Sequence, residues 1–143
     1  MKLQETKKKK IIRAGVIPFF IKDKKLEMLF MKPSDPKYGG AQWQIAKGEI
    51  DEGEAIIKAA LREGKEELGL LRSNIDQLFS LGSFWNGAFH LFAVTVKSKK
   101  KFAKFGEETG AVRWMNWGEI FTEGRREQIK LVSTAYKVIK AGV

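Results

Sequence analysis

Glu63, Glu66 and Glu67 stand close together beside Arg62. On a helix turning about 100° per residue, Glu66 lies near −60° and Glu67 near +40° from Glu63, so the three carboxylates share roughly 100° of arc. Ile57, Ala60, Leu61, Gly64 and Leu68 fall between about 60° and 160° and form the expected core-facing stripe. Lys58 and Lys65 fall on the solvent side. The carboxylates therefore border buried surface. Like charges at these spacings repel by roughly 0.2–0.5 kcal/mol per pair on an exposed helix, and by more when partly desolvated. Arg62, one turn before Glu66, can hold one carboxylate but cannot neutralise three. Clustered oxygen ligands are what Mg2+ or Mn2+ require, and such ions keep coordination positions for water and substrate phosphates. The spacing admits two readings: a divalent-cation site, or an acidic face paired with lysines from elsewhere.

The rest of the composition narrows the chemistry. The chain has 143 residues and no cysteine. Disulfides, thiolate metal sites and a cysteine nucleophile are therefore excluded. One histidine, His90, rules out a site needing two imidazoles; in its apolar strand pattern it reads as a packed or hydrogen-bonded residue rather than a base. Net charge is +10, yet Gly48–Leu70 holds seven acids against three bases, so that window is −4 and the remainder +14. An acidic patch in a basic protein suggests a cation site set in a field that attracts anions. No apolar run is long enough to span a membrane, and the lysine-rich start lacks the apolar stretch of a secretory signal. A soluble, cytoplasmic protein is the expectation.

These residues need elements to position them. Residues 1–10, with the Lys7–Lys10 run, read as a flexible basic arm, and 11–143 as one domain. Ala14–Ile21 and Leu26–Met31 are β-branched and aromatic runs that predict a hairpin. Pro33–Gln42 reads as a loop. The clearest helix is Glu54–Leu68, with an acidic first turn and Gly69 placed to end it. Leu78–Phe84 and Phe89–Val96 predict a second strand pair around Trp85-Asn86-Gly87. A basic connection, Lys97–Lys104, leads to a strand at Val112–Asn116, and Glu127–Ala141 predicts a C-terminal amphipathic helix with Tyr136, Val138 and Ile139 as core contacts. This order predicts an α+β fold, a mixed sheet with helices packed on it.

The whole segment reads Gly48-Glu49-Ile50-Asp51-Glu52-Gly53-Glu54, seven residues Ala55 to Leu61, then Arg62-Glu63-Gly64-Lys65-Glu66-Glu67-Leu68-Gly69-Leu70. It resembles the box of the Nudix hydrolase family, with all seven fixed letters present. Chance agreement at ordinary residue usage is on the order of 10⁻⁸ to 10⁻⁹ per window. One position departs. Gly64 stands where the family places a bulky aliphatic residue, at a helix-propensity cost of about 0.8–1 kcal/mol; a neighbouring aromatic is expected to fill the gap. The resemblance extends to Ala14-Gly15-Val16-Ile17, Trp43-Gln44-Ile45-Ala46-Lys47-Gly48 and Val112–Glu119.

This resemblance implies an α/β/α sandwich and Mg2+- or Mn2+-dependent hydrolysis of the pyrophosphate bond of a nucleoside diphosphate linked to another moiety, of the ADP-ribose, FAD or dinucleoside polyphosphate type, with more than one ion when substrate is bound. By position, Glu66 and Glu67 become metal ligands, Glu63 a ligand or proton acceptor, and the Gly48 carbonyl a further ligand. Arg62 orients the carboxylates and Glu54 steadies the loop entering the helix. An extra glutamate from a later loop is expected from Glu107 or Glu108, with Glu108 preferred. Lys32 and Lys47 lie where the fold brings cations near phosphates. Trp43, Phe84 and Trp85 are stacking candidates, against the plainer reading of aromatic core. The proline or tyrosine that marks family subtypes after the box is absent, since that stretch is Trp85-Asn86-Gly87, so no subtype is assigned. Alternatives are an RNA 5′-end pyrophosphohydrolase and a non-catalytic nucleotide- or RNA-binding module. For the former, Lys97, Lys99, Lys100, Lys101 and Lys104 would attract the polymer, although a solvated charge run is the plainer reading. No membrane partner is expected, and monomer and homodimer both stay open.

Overall fold

A computed structural model describes residues 10–38 and 40–143. All but Lys10 of the expected basic arm lies outside the described residues. Among the described residues the strands and α-helices follow in order: β1 (Arg13–Lys22), β2 (Lys25–Pro33), β3 (Ala46–Glu49), α1 (Ile56–Leu68), β4 (Ile75–Phe84), β5 (Phe89–Val96), β6 (Thr109–Met115), α2 (Trp117–Glu123) and α3 (Ile129–Ala141). The sheet runs β4-β5-β1-β2-β6, with β3 attached to β1. β1 is its axis. It pairs antiparallel with β3 through Arg13–Val16 and with β2 through Phe19–Lys22, and parallel with β5 through Arg13–Phe19. A mixed sheet covered by helices is the arrangement expected from the sequence.

Alternation along the strands divides the core between two faces. Ala14, Val16, Phe92 and Val94 meet Ala59 and Ala60 of α1 on one side. Ile17, Phe19, Phe89 and Leu91 meet Ile120 of α2 and Leu131, Val132 and Ala135 of α3 on the other. The sandwich thus has α1 on one face and α2 with α3 on the opposite face.

Several boundaries differ from expectation for identifiable reasons. α1 begins at Ile56, with Ala55 in extended conformation before it and no acid in the first turn. Glu54 stays outside because its carboxylate accepts from Arg62 Nε and Nη2, each at 2.9 Å, and from the Asp51 amide at 3.1 Å. The buried stripe is Ala59, Ala60, Gly64 and Leu68, whereas Ile57 is 37% exposed. No aromatic fills the place beside Gly64: a Cβ there would meet Val16 Cγ1 at 2.7 Å and Leu70 Cδ2 at 3.1 Å. Glycine is what lets α1 lie this close to β1. Val138 is exposed, while Ile139 is buried and Tyr136 packs against the core.

β4 starts at Ile75, and α3 starts at Ile129 after a 3₁₀ turn at Arg126–Gln128. Two short elements were not expected. β3 is four residues containing Lys47-Gly48, poor strand formers recruited by pairing with β1. α2 is seven residues whose Asn116 and Glu119 form a capping box, a signal present in the sequence.

Candidate active site

The site is assembled around α1, and its first organiser is Arg62. Its fork donates to both oxygens of Glu54 at 2.9 Å, to the Glu49 carbonyl at 2.9 Å, to Glu63 Oε1 at 2.9 Å and to Glu66 Oε1 at 3.4 Å. One guanidinium thereby ties the loop before the helix to the carboxylates on it, a geometry that a lysine could not supply. These contacts hold the Glu54 carboxyl down to about 2 and raise Arg62 above its already high value.

The second organiser is β3. Its Lys47 amide donates to Glu67 Oε1 at 2.8 Å, and a Cβ on the neighbouring Gly48 would overlap the Glu63 carboxyl group. The Glu63 side chain therefore lies directly against the Gly48 backbone, which only glycine permits.

A third segment approaches from far along the chain. The Ala103 amide donates to the Gly69 carbonyl at 2.8 Å, and the Gly106 amide to the Glu66 carbonyl at 2.6 Å. Thr109 Oγ1 donates to the Glu67 carbonyl at 2.8 Å. This staple along the end of α1 brings Glu108 to a cavity of about 330 Å³, where Glu67, Lys47, Ile45, Gln44 and Tyr38 also form the wall.

Electrostatics in this cluster are unfavourable without a counter-ion. Burial, with the Glu63 and Glu108 charges adding to it, pushes the Glu67 carboxyl up to about 7 against the Lys47 amide bond. Glu63 is likewise raised, first by burial and then by Glu66, with Arg62 opposing. Burial lowers Lys47, helped by the positive charges of Arg13 and Arg125.

Such a donor set of half-buried carboxylates packed on a glycine backbone fits a hard divalent cation. Among the described residues no three acidic side chains are already gathered as a coordination shell: Glu63 and Glu66 are turned to Arg62, and Glu67 to the Lys47 amide.

The structure brings together Gly48, Arg62, Glu63, Glu66, Glu67, Lys47 and Glu108. It leaves other candidates elsewhere. Glu107 is exposed and does not line the cavity. Trp43 is 8% exposed within the α3-side core, and Lys32 lies over its ring at 4.7 Å. Trp85 sits in the β4–β5 turn at φ 53°, its ring 4.9 Å from Phe89, and Phe84 packs against the same core. His90 meets Ser80 Oγ through Nε2 at 2.7 Å.

Tyr38, which lines the cavity while 75% exposed, and the buried Gln44, bridged to Met31, were not anticipated, because neither placement leaves a mark in the local sequence. Gln128 was also missed. It is buried, and its Oε1 accepts from the Ile45 amide at 2.8 Å, tying the α3 side to the cavity wall.

The family model of the NUDIX domain matches residues 10–138. The chain belongs to the Nudix family. Its fold is shared with solved Nudix structures. A C. elegans Ap4A hydrolase binary complex matches with a TM-score of 0.72 at 20% identity, over 92% of this chain and 99% of that one. The NUDIX domain of Shewanella oneidensis NrtR, complexed with ADP ribose, matches with a TM-score of 0.65 at 16% identity, over 96% and 94%. A Nitrosomonas europaea NUDIX hydrolase matches with a TM-score of 0.59 at 21% identity, over 92% and 91%. No curated protein sequence matches significantly. No helix of the described residues is long and apolar enough to cross a membrane.

Proposed function

We propose that this Nudix hydrolase cleaves the pyrophosphate bond of a small nucleotide derivative, a nucleoside diphosphate linked to another moiety, with Mg2+ or Mn2+ as cofactor. The observation that carries this reading is the juxtaposition of Glu67, Lys47 and Glu108 around one cavity beside the box carboxylates. The C. elegans neighbour named for Ap4A and the NrtR domain holding ADP ribose support the substrate class.

In this reading Glu63, Glu66, Glu67 and the Gly48 carbonyl would hold the cation, whose chemistry there would be to neutralise diphosphate charge and to lower the pKa of a water. Lys47 faces the phosphates with its ammonium group. Arg62 keeps the carboxylates in register with the loop at Glu49 and Glu54. Water adds to one phosphorus as the bridging P–O bond breaks. The water's proton passes to a carboxylate, with Glu108 on the cavity wall as acceptor, and the second phosphate departs. Rate enhancement comes mainly from positioning and charge neutralisation.

The test is a panel of ADP-ribose, FAD and diadenosine polyphosphates incubated with Mg2+ or Mn2+, with products identified by mass and ¹⁸O from water locating the attacked phosphorus. A nucleoside monophosphate and a phosphorylated remainder are expected. No turnover of any panel member with either ion would overturn the reading.

A further inference from the structure

A band of positive charge leaves the candidate active site over the outer side of α1. Its first section is a cleft of about 490 Å³ whose wall includes Lys58, Lys65 and Arg72, with Arg62 at the edge nearest the carboxylates and no acid in the lining. Its second section is a cleft of about 520 Å³ between the β1–β2 turn and the connection leaving β5. There Lys22, Lys25, Lys97, Lys99 and Lys100 outnumber Asp23 and Glu27, and Lys99 pairs with Glu27. The two sections meet at Ser73. It lines the first cleft, and its carbonyl accepts at 3.5 Å from Lys97 Nζ, of the second cleft, and from Lys101 Nζ.

Taken as sequence, the lysine run reads as solvated charge. The structure holds it rigid instead. Asn74 is fully buried. Its Nδ2 donates to the Ser98 carbonyl at 2.8 Å and the Lys101 carbonyl at 2.9 Å, and its Oδ1 accepts from the Ser98 amide at 3.0 Å. Its own carbonyl accepts from the Lys97 amide at 2.9 Å. A buried amide with both ends committed fixes the backbone that carries four lysines. Fixed like charges repel one another, and a chain of regularly spaced phosphates relieves that repulsion while releasing its counter-ions.

We propose that this band is a docking surface for a single nucleic-acid strand, gripped through its phosphates without regard to sequence. Two clefts that meet at Ser73 suit an extended strand better than a flat lipid surface, and none of the large exposed hydrophobic side chains of the described residues lies in either lining to enter a bilayer. Phe20 lines the second cleft with Lys99 Nζ over its ring at 5.3 Å, which holds that ammonium at the cleft. The docking surface is independent of the proposed hydrolysis, and its test reads binding alone.

The experiment measures fluorescence anisotropy of labelled 20-mer oligouridylate and oligodeoxythymidylate with the intact protein. Wild type is compared with Lys97→Glu/Lys100→Glu/Lys101→Glu and with Lys58→Glu/Lys65→Glu. About four phosphate contacts predict roughly a fiftyfold loss of affinity between 50 and 200 mM salt. Each variant is expected to weaken binding at least tenfold with an unchanged melting temperature. Wild-type affinity in both variants, or a flat salt response, overturns the proposal. So does tighter binding to phosphatidylserine vesicles, or to inorganic polyphosphate, than to either oligonucleotide.

Discussion

At the residue scale, Glu67 combines three circumstances: half-burial, a hydrogen bond from the Lys47 amide, and two carboxylate neighbours that raise its pKa. Glu67→Gln keeps an acceptor for that amide but removes the charge. Hydrolysis should fall by on the order of a hundredfold or more, while the metal-free melting temperature holds or rises because a half-buried charge is gone. Activity within a few-fold of wild type, measured by product mass at saturating Mg2+, would remove Glu67 from the site. His90 offers a cleaner pH probe because it is the sole histidine. Burial lowers its pKa below the ordinary 6.5. Below that value the unfolded chain takes up a proton that the folded chain resists, so stability is lost as pH falls through this range. Its imidazole proton resonances should titrate below 6.5; a midpoint above 6.5 contradicts the burial argument.

At the element scale, α1 shows which parts of a site can be read along a chain and which cannot. Arg62, Glu63, Glu66 and Glu67 belong to one helix, so spacing alone placed them together, and Gly69 ended that helix in left-handed conformation as expected. Glu54 was misjudged as part of the first turn because its partner, the Arg62 fork, is visible only in space. Gly64 was similarly ambiguous: its role lies in the close approach of Val16. Restoring the family's aliphatic residue with Gly64→Ile should therefore destabilise, by about 1–3 kcal/mol of overpacking, despite better helix propensity. Urea denaturation checks this, and Val16→Ala in the same chain should recover part of the loss. A stabilised single variant would show that α1 has room to spare.

At the scale of the whole molecule, charge is segregated. The box window is negative inside a chain of net +10, and the charge of Glu108, just before β6, adds to the repulsion felt by Glu63 and Glu67 of α1. A dication among them should raise the melting temperature, by the equivalent of about 2.7 kcal/mol at a hundredfold excess over its dissociation constant. Scanning calorimetry with and without Mg2+ checks this, and the shift should vanish in Glu63→Gln/Glu67→Gln. An unchanged transition in wild type would count against a cation site.

The chain's own order of residues determined the acidic face of α1 and the resemblance to the family, and through that resemblance the sandwich, because helical periodicity and the spacing of the box are written along one short stretch of chain. Only the folded molecule decided that Glu108 reaches the cavity, that Trp43 belongs to the core, and that Asn74 stiffens the basic band. Those outcomes depend on hydrogen bonds and packing between segments far apart in the chain, and no local pattern encodes which distant partner a side chain will meet.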